Sequence, residues 1–273
     1  AVGQSLVIVM KYIDLSVSST IGFSAWLIGK SCADGHGLLY IFTLITIVGL
    51  TVGTINGFLV GYMKLPSLVV TLSTMYIVRG VFSQISSGRT IIESEVPTAV
   101  SFIGRNSLFG IPYMFIITFA LVIIAGQGMR RIRAARDLYA IGSNFPAAQL
   151  AGIPVAKRTF WAFVINSLIA STGGIILLSR FNAADTNSGL GLELNVIAAC
   201  VVGGVAIAGG IGTTYGALIG ALLLQSITQA LGALGVSQFW QQAVNGTLLI
   251  LAISLDRYLS LRVKPSTILR VKK

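Results

Sequence analysis

Eight apolar segments, near residues 17–29, 38–62, 66–82, 111–129, 159–178, 194–208, 214–234 and 238–255, follow one another through a chain of 273 residues. A helix crossing the hydrocarbon of a bilayer needs about 20 mostly apolar residues, and fewer where protein surrounds it. Only 10% of the residues are charged, against roughly 25% in a soluble domain. That is too little polar surface to cover a water-soluble globule, so soluble enzymes, disordered tails and secreted disulfide scaffolds are excluded. The expected fold is all-α: a polytopic transmembrane helix bundle forming one domain over 1–273. Residues 1–10 are apolar but too short to cross alone. They read as the second half of a helix whose first half precedes Ala1, in preference to a cleaved signal peptide.

The net charge of +11 would suit nucleic acid if it lay on one folded polar face. Instead the basic residues crowd into a few gaps between apolar runs, so no nucleic-acid partner is expected. The loop 130–158 holds Arg130, Arg131, Arg133, Arg136, Lys157 and Arg158 against Asp137 alone. The tail 256–273 holds Arg257, Arg262, Lys264, Arg270, Lys272 and Lys273 against Asp256. Placing both in the cytoplasm, with sides alternating, also brings Lys11 and Lys64 inside. The outer side keeps Lys30, Arg89, Arg105 and Arg180 among five acidic residues. This asymmetry is the one that orients membrane proteins.

Glycines recur every four residues at Gly49, Gly53, Gly57 and Gly61, and again at Gly212, Gly216 and Gly220. On a helix that spacing makes a smooth stripe along which another backbone approaches closely. The glycine-dense run 203–212 predicts a break between short helices, tolerated at membrane depth only where protein shields it. It is no phosphate loop, since no Lys-Ser/Thr follows. Nor is it the dinucleotide fingerprint, whose third glycine would fall at Tyr215.

The polar residues within the spans are almost all uncharged: Thr51, Asn56, Thr71, Ser73, Asn166, Ser171, Asn195, Gln225 and Asn245. Such groups either line a path for a polyhydroxylated solute or bond between helices. Asn56, Thr71, Ser73 and Asn166 are the candidates for the path. Arg79 is the single charge well within a span, near its outer end, and is expected to snorkel outward. Asp14 or Ser16 is expected to cap the helix that follows. Cys32, Cys200 and the single His36 offer no disulfide framework, metal site or nucleophile–base pair. No catalytic residue, metal ligand or cofactor-binding residue is assigned. A stand-alone channel or an ion-coupled transporter remains open on these residues, although no intramembrane carboxylate pair favours the latter.

Within 130–158, Ser143 or Asn144 can cap a helix, Pro146 fits its first turn, and Gly152 and Pro154 stop it. The result is about two turns bearing Ala147, Ala148, Leu150, Ala151 and Ile153. So short a helix needs its own bundle or a partner's groove to rest on.

The segments Ile13-Asp14-Leu15-Ser16-Val17, Asn56-Gly57-Phe58-Leu59-Val60, Leu65-Pro66-Ser67-Leu68-Val69-Val70-Thr71-Leu72 and Ser86-Ser87-Gly88-Arg89 resemble permease subunits of bacterial ABC importers for simple sugars. So do Tyr139-Ala140-Ile141-Gly142-Ser143-Asn144 with Ala147-Ala148 and Gly152-Ile153, and Ala198–Gly204 followed by Gly209–Thr213. The family includes the ribose, galactose, rhamnose and autoinducer-2 permeases, and the likeness runs along essentially the whole chain. It implies that the short helix is a coupling helix docking into an ATPase subunit through Asn144, Ala147, Ala148, Gly152 and Ile153. Where the general permease motif has Glu before the Ala-Ala pair, Pro146 stands here. The resemblance also implies a further span before Ala1, a second permease chain (identical or a sister) and a periplasmic solute-binding protein. ATP and Mg would be bound by the ATPase and not by this chain. The solute would be a pentose, a deoxyhexose or autoinducer-2, crossing the cell inner membrane.

Overall fold

Each of the eight apolar segments supplies a helix in the computed structural model, which describes residues 1–96 and 98–262. Ahead of them comes α1 (Val2–Val9), followed by α2 (Val17–Ala33), α3 (Leu38–Gly61) and α4 (Ser67–Ser86). A short helix α5 (Thr98–Arg105) and a hairpin of β1 (Ser107–Leu108) with β2 (Ile111–Pro112) lead into α6 (Tyr113–Arg131). Two helices follow outside the apolar segments, α7 (Arg133–Ser143) and α8 (Phe145–Leu150). The remainder is α9 (Val155–Phe181), α10 (Leu192–Val202), α11 (Thr214–Ala233) and α12 (Gln238–Arg262). Helix makes up 75% of the described residues. Among the described residues, α3, α4, α6, α9 and α11 are long and apolar enough to cross a membrane. The basic tail begins in α12, and its residues 263–273 lie outside the described residues.

All eight residues of α1 are buried, and α9 packs against α1, α2, α3 and α5, so these two helices form the axis of the bundle. The first glycine stripe explains how α3 lies so close to α9. A Cβ on Gly53 would stand 2.6 Å from the Cα of Val164, and one on Gly57 would stand 2.7 Å from the carbonyl of Phe160. Gly49 and Gly61 meet Ser171 and Ala156 in the same way. Lipid gives helices no hydrophobic reason to associate, so this close backbone packing supplies the attraction. The second stripe differs from its expected form. Gly216 and Gly220 lie on α11 against the carbonyls of Gly203 and Ala199, but Gly212 lies before the helix with φ 145°. The reason is Thr213, whose hydroxyl accepts from the amide of Gly216 and starts α11 one residue after Gly212.

Between α1 and α2 the chain breaks at residues 10–16, running from exposed Lys11 to buried Asp14 and Ser16. A break there must satisfy its own backbone groups. Fully buried Asp14 accepts from the amide of Ser16 at 2.9 Å and from its hydroxyl at 2.6 Å. Its other oxygen accepts from Nδ2 of Asn166 at 2.9 Å. The carboxamide of Gln4, turned so that both ends are satisfied, bridges the amide and carbonyl of Asp14 at 3.1 and 3.2 Å. Thr71 donates to the carbonyl of Ile13, and Asn56 donates to Ser16 while accepting from Thr74. Ser16 sits at the start of α2 without a side-chain cap, so the expected simple helix cap is instead a knot joining α1, α2, α3, α4 and α9.

The charges collect at two ends. Lys11, Lys64, α7, α8 and the glycine turn 203–212 meet at one, called here the basic end. At the other, ion pairs join Lys30 to Asp34, Arg89 to Glu95 and Arg105 to Glu93. These pairs are exposed, so water and salt screen them and they add little to stability. Arg79 is held by a backbone partner. Its Nη1 donates to the carbonyl of Thr186 at 2.7 Å, tying α4 to the non-helical stretch that precedes α10.

Candidate functional site

At the basic end, α6 turns at Ile132 into α7, whose Leu138, Ile141 and Gly142 are buried. Three contacts fix α7 to the membrane part. The Tyr139 hydroxyl donates to the carbonyl of Gly212 at 2.9 Å, and Gly142 lies directly against the carbonyl of Val9. Arg158 of α9 pairs with Asp137 at 2.8 Å in a half-buried position. Burial pushes the Tyr139 phenol above its usual range and Arg130 offsets only part of that, so Tyr139 stays a neutral donor.

Asn144 then starts α8. Its Oδ1 accepts from the amide of Ala147 at 3.0 Å, and Pro146 occupies the first turn, where a missing N–H costs nothing. The end of α8 is closed by Gly152 at φ 74°, with its amide on the carbonyl of Gln149 and the amide of Ile153 on that of Ala148. This paired closure needs a left-handed residue after the helix, and glycine takes that conformation without a Cβ clash.

The short helix has two faces. Ala148 is 4% exposed and joins a core with Met10, Ile141 and Val155, against which Ile153 packs. Ala147 and Gln149 are exposed, and Leu150 is 91% exposed. A cavity of about 610 Å³ opens beside it, lined by Tyr12, Lys64, Phe145, Gln149 and Ile153. Ala147 and Ala148, expected as a pair, therefore face opposite ways. Sequence reading passed over α7, although Leu138 and Ile141 sit three residues apart in an otherwise charged stretch. It named Leu150 only as a neighbour of the alanines, and this is the side chain the helix presents outward.

The four residues expected along a solute path lie in two kinds of place. Asn56, Thr71 and Asn166 are buried with their polar groups taken up in the knot around Asp14. Ser73 is exposed on α4 and donates to the carbonyl of Val69. Three other polar span residues converge instead. Asn195 of α10, Gln225 of α11 and Asn245 of α12 line one cleft of about 260 Å³ together with Thr228. Among the described residues, no three His, Cys, Asp or Glu side chains come together in a way that could hold a metal.

Residues 1–253 match the family model described as branched-chain amino acid transport system / permease component. The chain is 33% identical over 258 residues to the L-arabinose ABC transporter permease protein AraH of Azospirillum brasilense, covering 94% of this chain and 76% of that protein. It is 32% identical over 256 residues to the autoinducer 2 import system permease protein LsrC of Enterobacter sp. (strain 638), covering 94% and 74%. Against the L-arabinose transport system permease protein AraH of Escherichia coli (strain K12) it is 39% identical over 205 residues, covering 75% and 62%. No solved structure matches the chain. With its membrane-length helices and a match running from residue 1 to residue 253, the chain is a multi-pass membrane protein and belongs to this family of transport-system permease components.

Proposed function

We propose that this chain forms the transmembrane part of an ABC importer that carries a simple sugar or a sugar-like solute across the cell inner membrane. The named arabinose and autoinducer-2 systems of its relatives support that solute class. In this reading the basic end faces the cytoplasm, α8 is the coupling helix, and a separate ATPase binds ATP and Mg. A second permease chain completes the path, and a periplasmic binding protein delivers solute. The chain itself moves solute and makes or breaks no bond.

One observation carries the reading: α8 is anchored by Ala148 and Ile153 yet holds Leu150 out at 91% exposure. A six-residue helix is not stable by itself, so its placement comes from the core beneath it. Through α7 it is tied to Val9 and Gly212, at the α1–α2 break and the turn between α10 and α11. A push on its outer face is thereby passed to the elements that break within the membrane.

The test is co-purification of the complex with Leu150→Asp. An exposed position tolerates this with little effect on folding, within roughly 0.5 kcal/mol. The expected result is normal membrane insertion with loss of the bound ATPase and of uptake. Uptake by the purified chain with no ATPase present would contradict the proposal and favour a stand-alone channel.

A further inference from the structure

The cleft between α10, α11 and α12 holds two carboxamides, of Asn195 and Gln225, that the fold does not use. Gln225 is the twelfth residue of a twenty-residue helix, far from either end of α11. Its carboxamide and that of Asn195 are exposed and make no hydrogen bond among the described residues. Thr228 and Asn245 meet only at 3.5 Å, the outer limit of a hydrogen bond. A carboxamide left against lipid loses its bonds to water and gains none, so such groups face a polar path or a ligand. No ionisable side chain lines the cleft; its polar side chains are two asparagines, a glutamine and a threonine.

We propose that this cleft is a solute-binding station within the membrane that takes a neutral, polyhydroxylated molecule. Each carboxamide offers two donors and an acceptor carbonyl, a match for hydroxyls, which both donate and accept. A carboxylate or phosphate would find no cationic side chain in the lining to balance its charge and is disfavoured. The cavity is of monosaccharide size rather than that of a peptide or nucleotide. The inference rests on the permease reading above and adds the place and the chemistry of recognition.

The experiment uses the complex with its ATPase in nanodiscs, in a Cys32→Ser, Cys200→Ala background. Gln225→Cys is treated with a small maleimide, alone, with a mixture of L-arabinose, D-ribose and D-galactose, and with glucuronate. Asn195→Cys serves as the second variant should the first not assemble. The expected result is labelling that the neutral sugars slow about tenfold and that glucuronate leaves unchanged. Three results each overturn the proposal: no labelling, which means that protein or lipid fills the cleft; labelling unaffected by the sugars; or equal protection by glucuronate. ATPase retention in the same preparation reports separately on the coupling reading, so the two failures are distinguishable.

Discussion

The knot around Asp14 and the cleft beside Gln225 are built from the same kinds of side chain, and the fold treats them in opposite ways. In the knot, Asn166 and Asn56 spend their hydrogen bonds on the side chains of Asp14, Ser16 and Thr74, and Gln4 spends its own on the backbone of Asp14. In the cleft, Asn195 and Gln225 have no partner among the described residues. A polar group inside a membrane bundle serves architecture when its partners are internal. When they are missing, it is available to a solute. The distinction rests on whether bonds are already made: the carboxamides of the knot are buried with internal partners, and Asn195 and Gln225 are exposed without them.

Breaking the knot should give the largest effect. Asp14→Ala strands the amide of Ser16 and Nδ2 of Asn166 in the interior, at roughly 1–3 kcal/mol for each lost partner. The expected outcome is loss of folded protein from the membrane, read by detergent-solubilised yield and thermal melting. Normal yield from Asp14→Ala would mean that the break is held by packing alone.

Close backbone packing comes next. Gly57→Leu has no room against the carbonyl and Cα of Phe160, so α3 must move away from α9. Overpacking of this kind costs about 1–3 kcal/mol. Yield should fall, whereas Leu50→Ile on the exposed side of α3 should be silent. Equal yields would show that α3 can shift freely on α9.

A third contrast lies within α8. Ala148→Trp forces bulk into the core shared with Met10 and Val155 and should lower stability as well as transport. Leu150→Asp should lose transport alone. If Ala148→Trp melted like the parent chain while uptake failed, the inward face of α8 would have been assigned wrongly.

Much of this was legible in the sequence, and for a physical reason. Spans are long runs of one property, so their number and order can be read locally, and the Gly49–Gly61 stripe fixes one helix face by spacing alone. The cap of α8 at Asn144 and its stop at Gly152 are local too. The knot was not legible, because Asp14 is completed by Gln4 and Asn166, the latter 152 positions away, and Ser16 by Asn56. Read locally, a charge between two apolar stretches belongs at an interface, and Arg79 near a span end belongs in the headgroups. Asp14 instead sits fully buried with Asn166 as a distant partner, and Arg79 bonds the carbonyl of Thr186, 107 positions away. Which polar span residues join the knot and which line the cleft depends on distant partners in the same way. Helix α7 was missed because its charged residues hide a short apolar pair.

The most direct test sets the two regions side by side with one chemical change. Asn166→Leu and Gln225→Leu each replace a carboxamide with an aliphatic side chain on a membrane helix, measured in one preparation for melting temperature and for uptake of L-arabinose, D-ribose and D-galactose. The account predicts that Asn166→Leu melts well below the parent, having removed a buried partner of Asp14. It predicts that Gln225→Leu melts within about 1 °C of the parent, a stability change of a few tenths of a kcal/mol, and loses uptake. A stable Asn166→Leu together with a Gln225→Leu that transports normally would contradict it.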